Sequence, residues 1–136
     1  MSNTNTFEDW AVIHSYTRKQ AIADGVLVDV TGQAKFSGFK IPVAVTQTVW
    51  ARWIEANQEL QEYGQSTEAR LRDVLDVLYF SIRKMPKDAD ATRIEFKVKF
   101  LVDDDTNTYE TPELIAVCGP DDDGKPCITI MLPEDE

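Results

Sequence analysis

The sequence is short of histidine and cysteine, has no long apolar run, and lacks basic residues almost completely in its last quarter. A single histidine in 136 residues excludes a multi-histidine metal site. Two cysteines, Cys118 and Cys127, are too few for a disulfide framework and read as reduced thiols. They flank a turn, so neighbouring strands could bring them close. No apolar stretch approaches the roughly 20 residues that cross a bilayer. Residues 1–8 are polar and have no basic start, unlike a signal peptide. The expected location is therefore cytoplasmic. A phosphate-cradling glycine loop is also missing. The net charge of −10 argues against direct contact with nucleic-acid backbones or anionic lipid, both of which need a basic face.

What is present is a globular composition. The chain is 43% hydrophobic and 10% aromatic, far richer than a disordered acidic chain. Its length suits one domain with one core. The expectation is a single domain over residues 1–136, with a mobile N-terminus (1–8) and a short acidic C-terminal tail (134–136).

The charge is unevenly spread. Residues 1–100 hold 13 acidic and 13 basic side chains and sum to zero. Residues 101–136 hold 11 acidic side chains and one basic, Lys125, so the whole net charge lies there. Three clusters carry most of it: Asp103-Asp104-Asp105, Asp121-Asp122-Asp123 and Glu134-Asp135-Glu136. Such packing costs stability through self-repulsion. It is kept either for solubility or for a cationic partner.

Local signals predict an α+β fold. Thr17 and Gln20 form a capping box that starts a short helix through Asp24, with Gly25 supplying a left-handed stop. Val26–Val30 is short, β-branched and bounded by glycines, and reads as a buried strand. Thr31 caps another short turn ending at Gly38. Ile41–Val45 is extended, and Pro42 places it at a strand start or a sheet edge. Thr46 caps a helix whose apolar face runs through Val49, Trp50, Trp53, Ile54, Asn57 and Leu60 to a stop at Gly64. Ser66 or Thr67 caps a second helix with the stripe Leu71, Val74, Leu75, Leu78 and Ile82, ended by Pro86. Their short connection predicts an antiparallel helical hairpin. Beyond it, Ile94 to Val102 alternates with period two, and Leu114–Cys118 and Cys127–Leu132 are two more strands. The predicted architecture is an antiparallel β-meander in the C-terminal third, joined by the strand near 26–30 and packed against the helical hairpin. In that meander the Asp103 and Glu134 clusters share one end of the sheet and the Asp121 turn occupies the other.

Few residues suggest chemistry. Asp121-Asp122-Asp123-Gly124 lacks the alternating ligands and the closing Glu of a calcium loop and reads as a solvated turn. His14 has no oriented partner in sequence and reads as structural or exposed. Trp50 and Trp53 lie one turn apart on a helix that needs an apolar face, so they read as core. No catalytic residue, metal ligand or cofactor is assigned.

The blocks Tyr16-Thr17-Arg18, Asp24-Gly25-Val26-Leu27-Val28-Asp29-Val30 and Pro42-Val43-Ala44-Val45-Thr46 resemble an uncharacterised bacterial and viral family. So does the ending Ala116-Val117-Cys118-Gly119-Pro120 through Ile128-Thr129-Ile130-Met131-Leu132-Pro133. These are small acidic proteins carried on plasmids, integrative elements and phages, often near antirestriction genes. The resemblance implies a mobile-element setting and transfers no functional residue. Joined to the charge, it leads to an expected function: an anti-defence protein of antirestriction or anti-CRISPR type. Such a protein acts as a DNA mimic, occupying the Lys/Arg-rich channel of a host defence complex. Its expected contact residues are Asp103, Asp104, Asp105, Asp121, Asp122, Asp123, Glu134, Asp135 and Glu136. Two alternatives stand beside it. One is a small enzyme, since Ile13-His14-Ser15-Tyr16 resembles the start of ADP-ribosyltransferase folds. The other is a regulatory or assembly partner that binds through an apolar groove.

Overall fold

A computed structural model of the chain describes residues 16–56, 58–62, 64, 66–86 and 92–136. The expected mobile N-terminus (1–8) lies outside the described residues, as do His14 and Ser15. The fold is mixed α+β, built on a five-stranded sheet with helices packed against it.

The N-terminal half follows most of its local signals, but the strand expected to be buried at 26–30 is a half-buried sheet edge over Leu27–Asp29, and Thr31 is the first residue of its helix and not its cap. Helix α1 spans Arg18–Ala23, and the capping box is formed by Thr17 and Gln20. Gly25 then takes a positive φ of 80°, which turns the chain into strand β1, Leu27–Asp29. Helix α2, Thr31–Ser37, ends on Gly38 at φ 110°. The left-handed backbone favours glycine at that position, and the packing around it is close. A side chain there would be strained by the left-handed backbone, and its Cβ would stand 2.7 Å from the Tyr79 ring. Strand β2, Val43–Thr46, follows directly on Pro42, whose carbonyl accepts the Ile128 amide.

The predicted first helix of the hairpin is interrupted. Thr46 caps only one turn, α3, Gln47–Val49. A π-helical turn, Trp50–Ile54, follows, with the Glu55 amide donating to the Trp50 carbonyl. Glu55 is extended, and α4, Gln58–Glu62, begins again after it. The wide turn serves packing. It leaves Ile54 fully buried while Trp53 stacks on Phe100, with ring centroids 5.4 Å apart. The Thr67 hydroxyl accepts the Ala56 amide, fixing the break against the next helix. That helix, α5, Thr67–Arg83, is continuous and capped by Ser66. It buries Leu71, Val74, Leu75 and Leu78, each contributing about 1.5–3 kcal/mol of apolar burial.

The C-terminal strands are β3 Arg93–Lys97, β4 Phe100–Asp103, β5 Thr108–Glu110, β6 Glu113–Pro120 and β7 Pro126–Met131. The sheet order is β1-β2-β7-β6-β3. Strands β3, β6 and β7 form the expected antiparallel meander, β2 lies parallel to β7, and β1 joins through β2. Alternation along 94–102 is not carried through. Val98, Phe100 and Leu101 are all buried, so a single pleated strand cannot serve them. The chain leaves the sheet after Lys97, and β4 pairs with β5 in a separate two-stranded ribbon. The Asp103 turn is therefore carried by that ribbon and not by the meander end that bears Glu134.

The core lies between α5 and the sheet face of Val43, Val45, Phe96, Leu114, Ala116, Ile128 and Ile130. One charged side chain is buried with it. Arg70 is 5% exposed, donates to the carbonyls of Trp53 (2.9 Å) and Leu101, and lies over the Phe100 ring. Burial pushes its pKa down. Among the described residues, no helix is long and apolar enough to cross a membrane.

Candidate functional site

The three acidic clusters occupy three different structural settings. Asp103 ends β4, and its Oδ1 accepts the amides of Asp105 (3.0 Å) and Thr106 (3.4 Å). This is an Asx turn. The Asp104 carbonyl accepts the Asn107 amide, and Asn107 takes the left-handed conformation that closes the turn. Asp105 is exposed.

The Asp121 turn joins β6 to β7. Asp121 Oδ1 accepts the amides of Asp123 and Lys125, each at 2.9 Å. Asp122 reaches out of the turn, across about a hundred residues of sequence. Its two carboxylate oxygens accept the Arg18 amide at 2.8 Å and the Lys19 amide at 3.1 Å. A carboxylate so placed satisfies open donors at the start of α1 and complements the positive end of its dipole. The Arg18 guanidinium completes the tie by donating to Thr129 Oγ1 and to the Ile128 carbonyl. Asp123 is exposed.

At the far end of β7 the chain closes with a 3₁₀ turn, Pro133–Asp135. The expected acidic tail is thus folded onto the body. Asp135 Oδ2 accepts the hydroxyls of Thr46 (2.9 Å) and Thr48 (2.5 Å) and the Leu132 amide (3.0 Å). Partial burial opposes ionisation of Asp135, but these donors outweigh it and hold its pKa below the ordinary value. Glu136 forms a two-pronged ion pair with Arg93, at 2.5 Å to Nε and 2.8 Å to Nη2. That guanidinium lowers the Glu136 pKa, and the carboxylates of Glu136 and Glu95 in turn raise that of Arg93. Glu134 meets Arg52 at 3.5 Å in a pair more than 60% exposed on both sides, which contributes little.

The structure therefore separates the nine expected contact residues. Asp103, Asp121, Asp122, Asp135 and Glu136 bind groups of their own chain, and Glu134 does so weakly. The side chains of Asp104 and Asp123 bond to no described residue. The clusters do not merge into one patch. The Asp121 turn and the 133–136 turn sit at opposite ends of β7, roughly 17–20 Å apart at about 3.3 Å per residue. Among the described residues, no group of three His, Cys, Asp or Glu is arranged to hold a metal ion. Cys118 and Cys127 are free, Cys118 half-buried and Cys127 buried, and burial raises the Cys127 pKa.

One feature went unread in the sequence. A cavity of about 550 Å³ opens between the C-terminal end of α5 and the core face of the sheet. Its walls include Phe39, Ile41, Ile82, Ile94, Cys118 and Ile128. In sequence, Ile82 belongs to a helical stripe and Ile94 to an alternating strand, and no local pattern shows that the two face one cavity.

A family model described as a family of unknown function (DUF6573) matches residues 2–136. No curated protein and no solved structure matches the chain.

Proposed function

The chain belongs to DUF6573, a family of unknown function, and we propose from its surface that it is an acidic binding protein for a basic macromolecular partner. The partner class is a defence nuclease or surveillance complex that holds nucleic acid in a Lys/Arg-lined channel. The chain binds that channel and not nucleic acid itself. The mobile-element setting implied by the family resemblance belongs to the same reading.

One observation carries it. At least one carboxylate of each acidic run is tied to the fold by backbone amides or hydroxyls, so the freer Asp104, Asp123 and Glu134 stand on ordered turns and not on a loose tail. Fixed carboxylates lose little further entropy on binding, so more of the electrostatic attraction appears as affinity. The surplus of negative charge in residues 101–136 also steers encounter with a cationic channel, at a rate that falls with salt.

The test is an affinity capture from bacterial lysate at low and high salt. A nucleic-acid-processing complex should be retained at low salt and released at high salt. The variant D104N/D123N/E134Q removes charge without touching the stronger internal ties, so it should fold normally and capture less. Undiminished capture by a folded variant overturns the proposal.

A further inference from the structure

We propose that the cavity beneath the end of α5 is a binding site for an apolar molecule bearing one anionic group, of the aliphatic carboxylate class. This inference is independent of the acidic surface. The volume of about 550 Å³ lies within the roughly 300–1,000 Å³ of small-molecule sites. The walls are almost wholly apolar, supplied by the α2–β2 connection, α5, β3, β6 and β7.

Two features make it a formed site. One wall is closely packed: Tyr79 lies edge-on to Phe39 with centroids 5.6 Å apart, and a Cβ at Gly38 would stand 2.7 Å from the Tyr79 ring. Among the described residues, the charge lining the cavity is of one sign. The charged residues lining it are Lys40 and Arg83, and no carboxylate lines it among the described residues. In a chain of net charge −10 that local reversal selects an anionic head group. Arg83 is held by its bond to the Tyr79 hydroxyl at 3.1 Å and lies over that ring, so its guanidinium is positioned at the cavity. The aliphatic chain would lie against Ile41, Ile82, Ile94 and Ile128, and its transfer out of water favours binding.

The experiment uses the full chain with dodecanoate, dodecanol and dodecyltrimethylammonium, each below its micelle concentration, followed by calorimetry. Alkylation of Cys118, located by peptide mass mapping, reports occupancy because its thiol lines the cavity. Dodecanoate should bind at one site and slow that alkylation. Dodecanol and the cationic amphiphile should each bind at least about tenfold more weakly. The exposed charge reversals K40E/R83E should reduce dodecanoate affinity by about tenfold in a protein that still melts cooperatively, at a somewhat lower temperature because the Arg83–Tyr79 contact is lost. Cys118→Phe, which places a ring in part of the cavity, should weaken dodecanoate binding by at least about tenfold. The proposal is overturned by no dodecanoate binding up to millimolar concentration, by equal binding of the cationic amphiphile, or by unchanged binding to a folded C118F protein.

Discussion

Arg70 in the core and the carboxylates at the sheet margins meet the same problem in opposite surroundings. Each is an ionised side chain held by main-chain dipoles. Arg70 donates to the carbonyls of Trp53 and Leu101. Asp103, Asp121 and Asp122 accept backbone amides in the same way. The difference is depth. If Arg70 is removed, the buried Leu101 carbonyl and the part-buried Trp53 carbonyl both lose their donor. If a marginal carboxylate is removed, water takes its place. A bond's geometry therefore says little about its worth until the alternative for each partner is known.

The largest expected effect is at Arg70. Arg70→Met keeps much of the apolar stem and deletes the donors. It should destabilise the fold by about 3 kcal/mol, the cost of stranding buried polar partners. Chemical denaturation of the variant measures this directly. A loss below about 1 kcal/mol would show that water reaches the Trp53 and Leu101 carbonyls and would erase the contrast with the surface.

Such depth was not legible in the sequence, and the reason is physical. Arg70 sits among Arg72, Asp73 and Asp76 on a helix whose polar residues look alike in one dimension. Burial is decided by the strand segment that crosses above it, and no local rule places Leu101 there. Local rules worked where the cause was local. The capping box at Thr17 and Gln20, the left-handed Gly25 and Gly38, and the stripe on α5 all rest on neighbours within four residues. The same rules overextended the helix after Thr46, because the broad π-turn answers to Phe100, a partner from a distant strand. The acidic clusters were visible as charge. Their roles as braces were not, since Asp122 binds Arg18 and Lys19 from the other end of the chain.

Asp135 lies between the two extremes. Its carboxylate gathers three donors while staying partly open to solvent. Asp135→Ala should cost about 1–2 kcal/mol, and Asp135→Asn somewhat less because one oxygen acceptor survives. The same site gives the comparison a pH signature. Asp135 and Glu136 both have folded-state pKa values depressed below the ordinary 3.8 and 4.5. Their stabilisation is complete above those ordinary values and is lost as pH falls through the lower folded-state values. Thermal melts should therefore fall between pH 5 and lower pH, by less in D135N/E136Q than in the parent protein. Arg70 stays protonated throughout that range, so R70M should retain the acid sensitivity. Equal acid sensitivity of D135N/E136Q and parent would place the titrating brace elsewhere.

The smallest effects separate carboxylates that brace from those that only face water. Asp122→Ala removes the acceptor at the start of α1 and should cost about 0.5–1 kcal/mol, most of which Asp122→Asn should recover by still accepting one amide. The missing charge–dipole attraction sets the remaining gap, which should shrink with added salt. Asp104→Asn and Asp123→Asn should stay within about 0.5 kcal/mol of the parent, since neither side chain bonds to a described residue. Amide hydrogen exchange at Arg18 and Lys19 is the decisive measurement, because it reports α1 locally when the global change is small. Faster exchange there in D122A, with D104N and D123N unchanged, shows that Asp122 braces α1 while its neighbour Asp123 is spent on the surface. Equal protection in all three variants would mean that α1 is held by its capping box and the Arg18 side chain without help from Asp122.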